Sequence, residues 1–189
     1  IVNNIDQTIF KLTNKIRSVK PKNSLAITGT NGKTTVAWYI SQICKYNKIE
    51  NKMYGTLGYY VNFKKKKSSF LTTPQYEVLQ QTAFLNNKNK YNYIFEASSH
   101  ALDQNRIKNF PINIAAITNL SQDHLDYHNN FLSYKKCKLK LFKNYLDKNG
   151  YAILNDKIKG IENIKNKLRK NNKIITYGKP NSDVNIIKS

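Results

Sequence analysis

Ser24-Leu25-Ala26-Ile27-Thr28-Gly29-Thr30-Asn31-Gly32-Lys33-Thr34-Thr35 is the stretch on which the reading of this chain turns. Its first five residues form a short apolar run of the kind that makes a buried strand. The glycines that follow permit backbone angles closed to other residues and keep side chains out of an anion's path. Thr34 to Tyr46 then has helical spacing, with Val36, Ile40, Ile43 and Cys44 available for one apolar face. Such a helix aims its free N–H groups and partial positive charge back at the turn. Strand, Gly-rich turn and helix in this order predict a phosphate-binding loop, Lys33 reaching the β/γ-phosphates of a nucleoside triphosphate and the Thr34 hydroxyl holding Mg²⁺. The spacing is Gly-x-x-Gly-Lys-Thr, because Ile27 stands where the usual loop has its first glycine.

Outward from this loop, strands are expected at Lys52–Tyr54, Tyr91–Glu96, Asn113–Thr118, Tyr151–Leu154 and Lys173–Tyr177. Helices are expected at Tyr76–Leu85, Phe131–Phe142 and Lys157–Lys170, the last with Ile158, Ile161, Ile164 and Leu168 on one stripe. Alternation of this kind implies an α/β fold, a mostly parallel sheet with helices on both faces. Lys64–Lys67 reads as an exposed hairpin tip or loop. Residues 1–23 carry a weak helical pattern (Ile5, Ile9 or Phe10, Leu12, Ile16) that ends at Pro21, the pattern of a connecting helix arriving from something upstream. Val184–Ile187 begins a further apolar segment and stops, so the chain reads as a fragment.

The 189 residues suffice for one domain with a sizeable core. At 40% apolar and 23% charged, the composition is globular. No apolar stretch is long enough to cross a membrane, and the first residues have no leader pattern. Cys44 and Cys137 give no CxxC spacing, which suits a reducing cytosol. The net charge of +21 invites a nucleic-acid partner. Arginine, however, occurs only at Arg17, Arg106 and Arg169, so lysine accounts for the other 29 of the 32 basic residues. Surfaces that grip phosphates and base edges favour arginine's bidentate fork. The excess of Lys, Asn, Ile and Tyr is explained more simply by AT-rich codons, and no nucleic acid is expected.

Three further clusters fall at or beyond expected strand ends, where open α/β sheets place ligands. In Phe95-Glu96-Ala97-Ser98-Ser99-His100, Glu96 is a hard oxygen donor suited to Mg²⁺ and Ser98 a donor to a substrate anion, although two serines before a helix are as readily a cap. Thr118-Asn119-Leu120-Ser121-Gln122-Asp123-His124-Leu125-Asp126-Tyr127-His128 gathers two of the three histidines beside two aspartates, a metal or phosphate site. Tyr134-Lys135-Lys136-Cys137-Lys138-Leu139-Lys140-Leu141-Phe142 reads by composition as a basic helix face.

Together these stretches resemble the central ATPase domain of the Mur ligases, the ATP-dependent amide-forming enzymes of peptidoglycan precursor synthesis. Thr28–Thr35 is similar to that family's shortened phosphate loop. Leu71-Thr72-Thr73-Pro74, Glu96–His100 with Gln104 and Arg106, and Thr118–His128 resemble the branch that adds the third residue of the stem peptide. The likeness runs from about Ser24 to Tyr177.

The resemblance implies roles. Gly29, Thr30, Asn31, Gly32, Lys33, Thr34 and Thr35 would bind ATP. Thr34 would ligate one Mg²⁺, and Glu96, His124 and a carbamylated Lys138 a second; Lys33, Glu96, His124 and Lys138 form the implied catalytic set. Thr72, Thr73, Ser98, Gln104 and Arg106 match positions that hold UDP-MurNAc-dipeptide. The implied reaction passes ATP's γ-phosphoryl group to the D-glutamate carboxylate of UDP-MurNAc-L-Ala-D-Glu; the amine of a diamino acid (diaminopimelate or lysine) then displaces phosphate. Residues 1–23 would be the linker from a UDP-binding domain and 24–189 a central domain incomplete at its C-terminal end. The expected protein is a cytoplasmic monomer, with no membrane partner. Competing readings are folylpolyglutamate synthase or a cyanophycin-synthetase-like ligase, a nucleic-acid-associated P-loop NTPase, and a non-catalytic nucleotide-binding module.

Overall fold

A computed structural model of the chain describes residues 20–185 apart from 70, 85–90, 124, 167 and 169, together with 8 and 12. Most of the expected connecting segment 1–23, including Ile5, Ile9, Phe10 and Ile16, therefore lies outside the described residues, as does the end of the Val184–Ile187 segment. In chain order the elements are β1 (Asn23–Thr28), α1 (Lys33–Tyr46), β2 (Asn51–Gly55), β3 (Gly58–Val61), β4 (Lys64–Lys67), α2 (Tyr76–Phe84) and β5 (Asn92–Glu96). They continue with α3 (Ser99–Asp103), β6 (Ile112–Ile117), α4 (Leu125–His128), α5 (Phe131–Lys140), a π-helical turn (Leu141–Tyr145), β7 (Leu146–Asn155), α6 (Glu162–Lys165) and β8 (Lys173–Tyr177).

The strands form one sheet in the order β4-β3-β2-β5-β1-β6-β7-β8. All pairings from β2 across to β8 are parallel, and the β2–β3 and β3–β4 pairs are antiparallel. β1 is covered on both faces, which is why its run is continuously apolar rather than alternating. Leu25 and Ile27 face α1 with Ala37, Met53 and Ile94. Ala26 faces the larger core of Phe95, Leu102, Ile117, Leu141 and Phe142, on the side of α2, α3 and α5. From β1 the chain passes through α1 to β2 on one side, whereas β6, β7 and β8 lie on the other. The carboxyl end of β1 is thus a switch point, the place where such sheets hold ligands.

The expected parallel sheet with helices on both faces is what forms. Three expectations are corrected. Lys64–Lys67 is the edge strand β4, not a tip; the tip is Asn62-Phe63, both at positive φ (48° and 65°), as a tight hairpin turn requires. β7 begins at Leu146, five residues before the expected Tyr151. The expected Lys157–Lys170 helix is helical only at Glu162–Lys165. Gly160 at φ 76° breaks its start, and Ile161→Ile158 and Ile164→Ile161 backbone bonds turn the chain in threes, so Ile158, Ile161 and Ile164 still reach the core. Among the described residues no helix is long and apolar enough to cross a membrane.

Phe95 is fully buried between the rings of Tyr93 and Phe110, at 5.8 and 5.3 Å between centroids. Phe95→Ala is expected to cost about 3–5 kcal/mol of stability, read from the urea midpoint; a loss below about 1 kcal/mol would contradict this packing.

Candidate active site

The turn between β1 and α1 is held tightly against the loop after β6. Gly29 has φ 143°, and a Cβ there would fall 1.9 Å from Thr118 Oγ1, so only glycine fits. Gly32, at φ 80°, caps α1 without a side chain. Asn31 N donates to Asn119 Oδ1 (2.9 Å), Thr30 N to Asn119 O (3.1 Å) and Thr118 Oγ1 to Asn31 O (2.6 Å). The Thr30 hydroxyl donates to Ser121 O and accepts from Tyr134 Oη, each at 3.1 Å. Thr35 sits exposed in the first turn of α1.

Glu96 closes β5 and is 1% exposed. Thr34 Oγ1 donates to its Oε2 at 2.8 Å, and Thr56 N donates to its Oε1 at 2.8 Å. A Cβ on Gly55 would lie 2.1 Å from Glu96 Oε1, so the glycine leaves the carboxylate its room. A hydroxyl and a carboxylate oxygen in contact beside this glycine-rich turn are the hard donors that a divalent cation such as Mg²⁺ takes. Among the described residues no three His, Cys, Asp or Glu come together, and His124 lies outside the described residues.

Two lysines meet at one carbonyl. Lys33 Nζ donates to Gly29 O (2.9 Å) and Thr30 O (2.8 Å), and Lys138 Nζ donates to the same Gly29 O at 2.9 Å. Lys138 is 1% exposed, with its nitrogen 4.5 Å from the centre of the Tyr134 ring. Burial first, and the Lys33 charge second, push its pKa down from 10.5 to about 7. Burial also lowers Lys33, against the opposing pull of Glu96 and Asp123. The basic-face reading of this helix holds at its neighbours: Lys136 is exposed and Lys140 pairs with Asp103 at 2.9 Å. It fails at position 138 alone.

Lys33, Lys138, Thr72, Thr73, Ser98 and Arg106 line one cleft of ≈ 300 Å³, together with Ser99 and His100. Thr73 Oγ1 donates to Glu96 O at 2.7 Å and accepts from Ser98 N at 2.9 Å, which ties this cleft to the end of β5. Ser98 also caps α3 by accepting from Ala101 N. The capping reading of that serine holds, and the same residue lines the cleft. Arg106 Nη1 donates to Thr73 O at 3.2 Å, and its Nε to Gln104 Oε1 at 2.8 Å. Gln104 is exposed and acts on the arginine rather than lining the cleft.

Sequence reasoning missed Gly55, Thr56, Ser99 and Tyr134. A glycine ending one strand and a threonine opposite another strand's carboxylate leave no local signal; only the β2–β5 pairing brings them together.

Residues 27–188 match the family model described as the Mur ligase middle domain. A UDP-N-acetylmuramoyl-L-alanyl-D-glutamate--2,6-diaminopimelate ligase of Rickettsia bellii is 43% identical over 176 residues, covering 89% of this chain and 36% of its own length. The chain thus spans about a third of the relative it matches. A solved structure of a ligase of the same title superposes with a TM-score of 0.80 at 29% identity, over 94% of this chain and 37% of that one. A bifunctional folylpolyglutamate synthase/dihydrofolate synthase, solved with Mn, AMPPNP and L-glutamate bound, superposes at 0.64 with 15% identity, over 90% of this chain and 46% of that one, a likeness of fold alone.

With its pKa at about 7, Lys138 carries one proton fewer folded than unfolded between about pH 7 and 10.5. Its burial therefore weighs against folding in full below pH 7, and that penalty fades as pH rises towards 10.5. A ¹³Cε titration of the lysines is expected to show one resonance with a midpoint near 7 that Lys138→Met removes. All resonances titrating near 10.5 would contradict the buried geometry.

Proposed function

The chain belongs to the Mur ligase family through its middle domain, and from that premise we propose that it works in an ATP-dependent amide ligase of peptidoglycan precursor synthesis. The acyl substrate is UDP-MurNAc-L-Ala-D-Glu, the amine a diamino acid, diaminopimelate before lysine, and the intermediate an acyl phosphate. One observation carries the reading: Lys33 and the buried Lys138 line one cleft with Thr72, Thr73, Ser98 and Arg106, and Thr73 ties that cleft to Glu96, which meets Thr34. The diaminopimelate ligase title of a relative 43% identical supports the choice of substrates. On the same reading, residues 1–23 are a linker from a UDP-binding domain, 24–189 belong to the ATP-binding domain, and the protein is a cytoplasmic monomer.

Little covalent chemistry falls to the protein in such a transfer; it aligns two anions and neutralises their charge. Gly29 to Thr35 wrap the phosphates with backbone N–H groups at the start of α1. Lys33 would exchange its bonds to Gly29 O and Thr30 O for bonds to the β/γ-phosphates. Thr34 would hold one Mg²⁺, and Glu96, His124 and a carbamylated Lys138 a second. The Thr34–Glu96 contact fits such an ion, and Gly55 leaves the carboxylate its place. Mg²⁺ would supply positive charge to the transfer. Arg106, oriented by Gln104, gives a planar fork to a carboxylate of the dipeptide, and Thr72, Thr73 and Ser98 donate hydroxyls to it. A Lys138 near half-deprotonated at neutral pH is free to take up CO₂.

In the full-length enzyme Lys33→Ala is expected to lower ATP turnover by at least about 10²–10³-fold; turnover like the wild type would overturn the phosphate-loop assignment. Lys138→Ala is expected to lose activity and to regain part of it with added short-chain carboxylates, and no recovery would count against carbamylation. A substrate panel sets UDP-MurNAc-dipeptide against folates; turnover of the folate alone would move the protein to the folylpolyglutamate branch.

A further inference from the structure

Two buried hydroxyls, on segments that touch Lys138 or its neighbour Cys137, have no hydrogen-bond partner: Thr28 Oγ1 and Ser99 Oγ. Thr28 is fully buried at the end of β1 and immediately precedes Gly29, whose carbonyl accepts from Lys138 Nζ. By strand alternation its side chain shares the face of Ala26, which packs in the core that contains Cys137. Ser99 opens α3 and is 2% exposed. Its carbonyl accepts from Cys137 Sγ at 3.0 Å, one residue before Lys138, and Ser99 and Lys138 line the same cleft. One hydroxyl therefore comes from the sheet, on the residue before the one that Lys138 contacts, and one from a helix, on the residue that Lys138's neighbour Cys137 contacts.

Unpaired buried polar atoms are rare, and each calls for a cause such as a bound group that completes it. A hydroxyl can give its hydrogen only to an acceptor, and a lysine ammonium has none to offer. A carbamate brings two oxygens. Resting on the reading of Lys138 above, we propose that Thr28 and Ser99 are positioning residues that donate their hydroxyl hydrogens to a carbamate on Lys138 and turn it towards the cation that Glu96 would hold. In forming that group the free amine attacks the carbon of CO₂. An N–C bond forms, one C=O electron pair moves onto oxygen, and the surplus proton on nitrogen leaves to solvent. The product carries one negative charge where the ammonium carried a positive one. Two hydroxyl donors stabilise that anion, whereas the ammonium offers them no acceptor.

The test uses the full-length protein with ¹³C-bicarbonate, the carbamate carbon being counted by NMR as bicarbonate is raised. Thr28→Val and Ser99→Ala remove the hydroxyls with little change of shape, and Thr28→Ser keeps one. Each hydroxyl lost is expected to raise half-saturating bicarbonate about tenfold, the strength of a hydrogen bond to a charged group. Thr28→Ser is expected to titrate like the wild type, and thermal midpoints without CO₂ should not fall, since an unpaired hydroxyl is being removed. Unchanged half-saturation in both Thr28→Val and Ser99→Ala, or a Thr28→Ser protein that behaves like Thr28→Val, would overturn the positioning role while leaving carbamylation standing. A wild-type protein with no carbamate resonance would overturn the reading of Lys138 itself, and this role with it. Should Thr28→Val fail to fold, Ser99→Ala decides.

Discussion

The carbonyl of Gly29 accepts hydrogen bonds from both Lys33 and Lys138, and much of the architecture exists to permit that meeting. Two ammonium groups brought this close repel each other, and both are largely shut off from water. The chain resolves the conflict by letting one of them give up its proton near neutrality, and Lys138 is the more deeply buried of the two. The carbonyl itself is held in place by a backbone angle that only glycine takes, with Thr118 packed where a side chain would begin. The β1–β6 pairing sets Thr118 there; Asn155 and Tyr177 fix its carbonyl from β7 and β8. The turn from Gly29 to Gly32 is therefore braced by four strands.

Legibility in the sequence followed the range of the interactions. β1, the loop and α1 are local: an apolar run, two glycines and a helical period lie within about two dozen residues, and each was readable. The parallel sheet followed from alternation. The hairpin of β3 and β4 did not, because Gly58–Val61 is half-buried on one edge and Lys64–Lys67 has no apolar residue at all. The Lys157–Lys170 period misled because a spacing of three serves a chain of tight turns as well as a helix. At the site, Glu96 and Ser98 were visible as chemistry at a strand end. Lys138 was not, since five lysines crowd residues 135–143 and nothing nearby separates the buried one from the others; family resemblance alone pointed to it. Gly55, Thr56 and Ser99 contribute only through partners distant in sequence.

Arginine is scarce enough that its use is informative. Arg106 is held by Gln104 on its own turn and by the carbonyl of Thr73 from another segment, so its fork is oriented before any ligand arrives. A lysine in its place would lose that planar orientation and much of the entropy saved by it. Elsewhere lysine carries the charge, on flexible stems in water, where individual ion pairs contribute little.

The strand β4 ends the sheet with Lys64, Lys65, Lys66 and Lys67, all exposed. An outermost strand shows unpaired amides and carbonyls to solvent and can recruit the backbone of another molecule. Four adjacent cations repel any second copy that would dock there in register. The same lysines thus guard this margin of the sheet against fibril-like stacking.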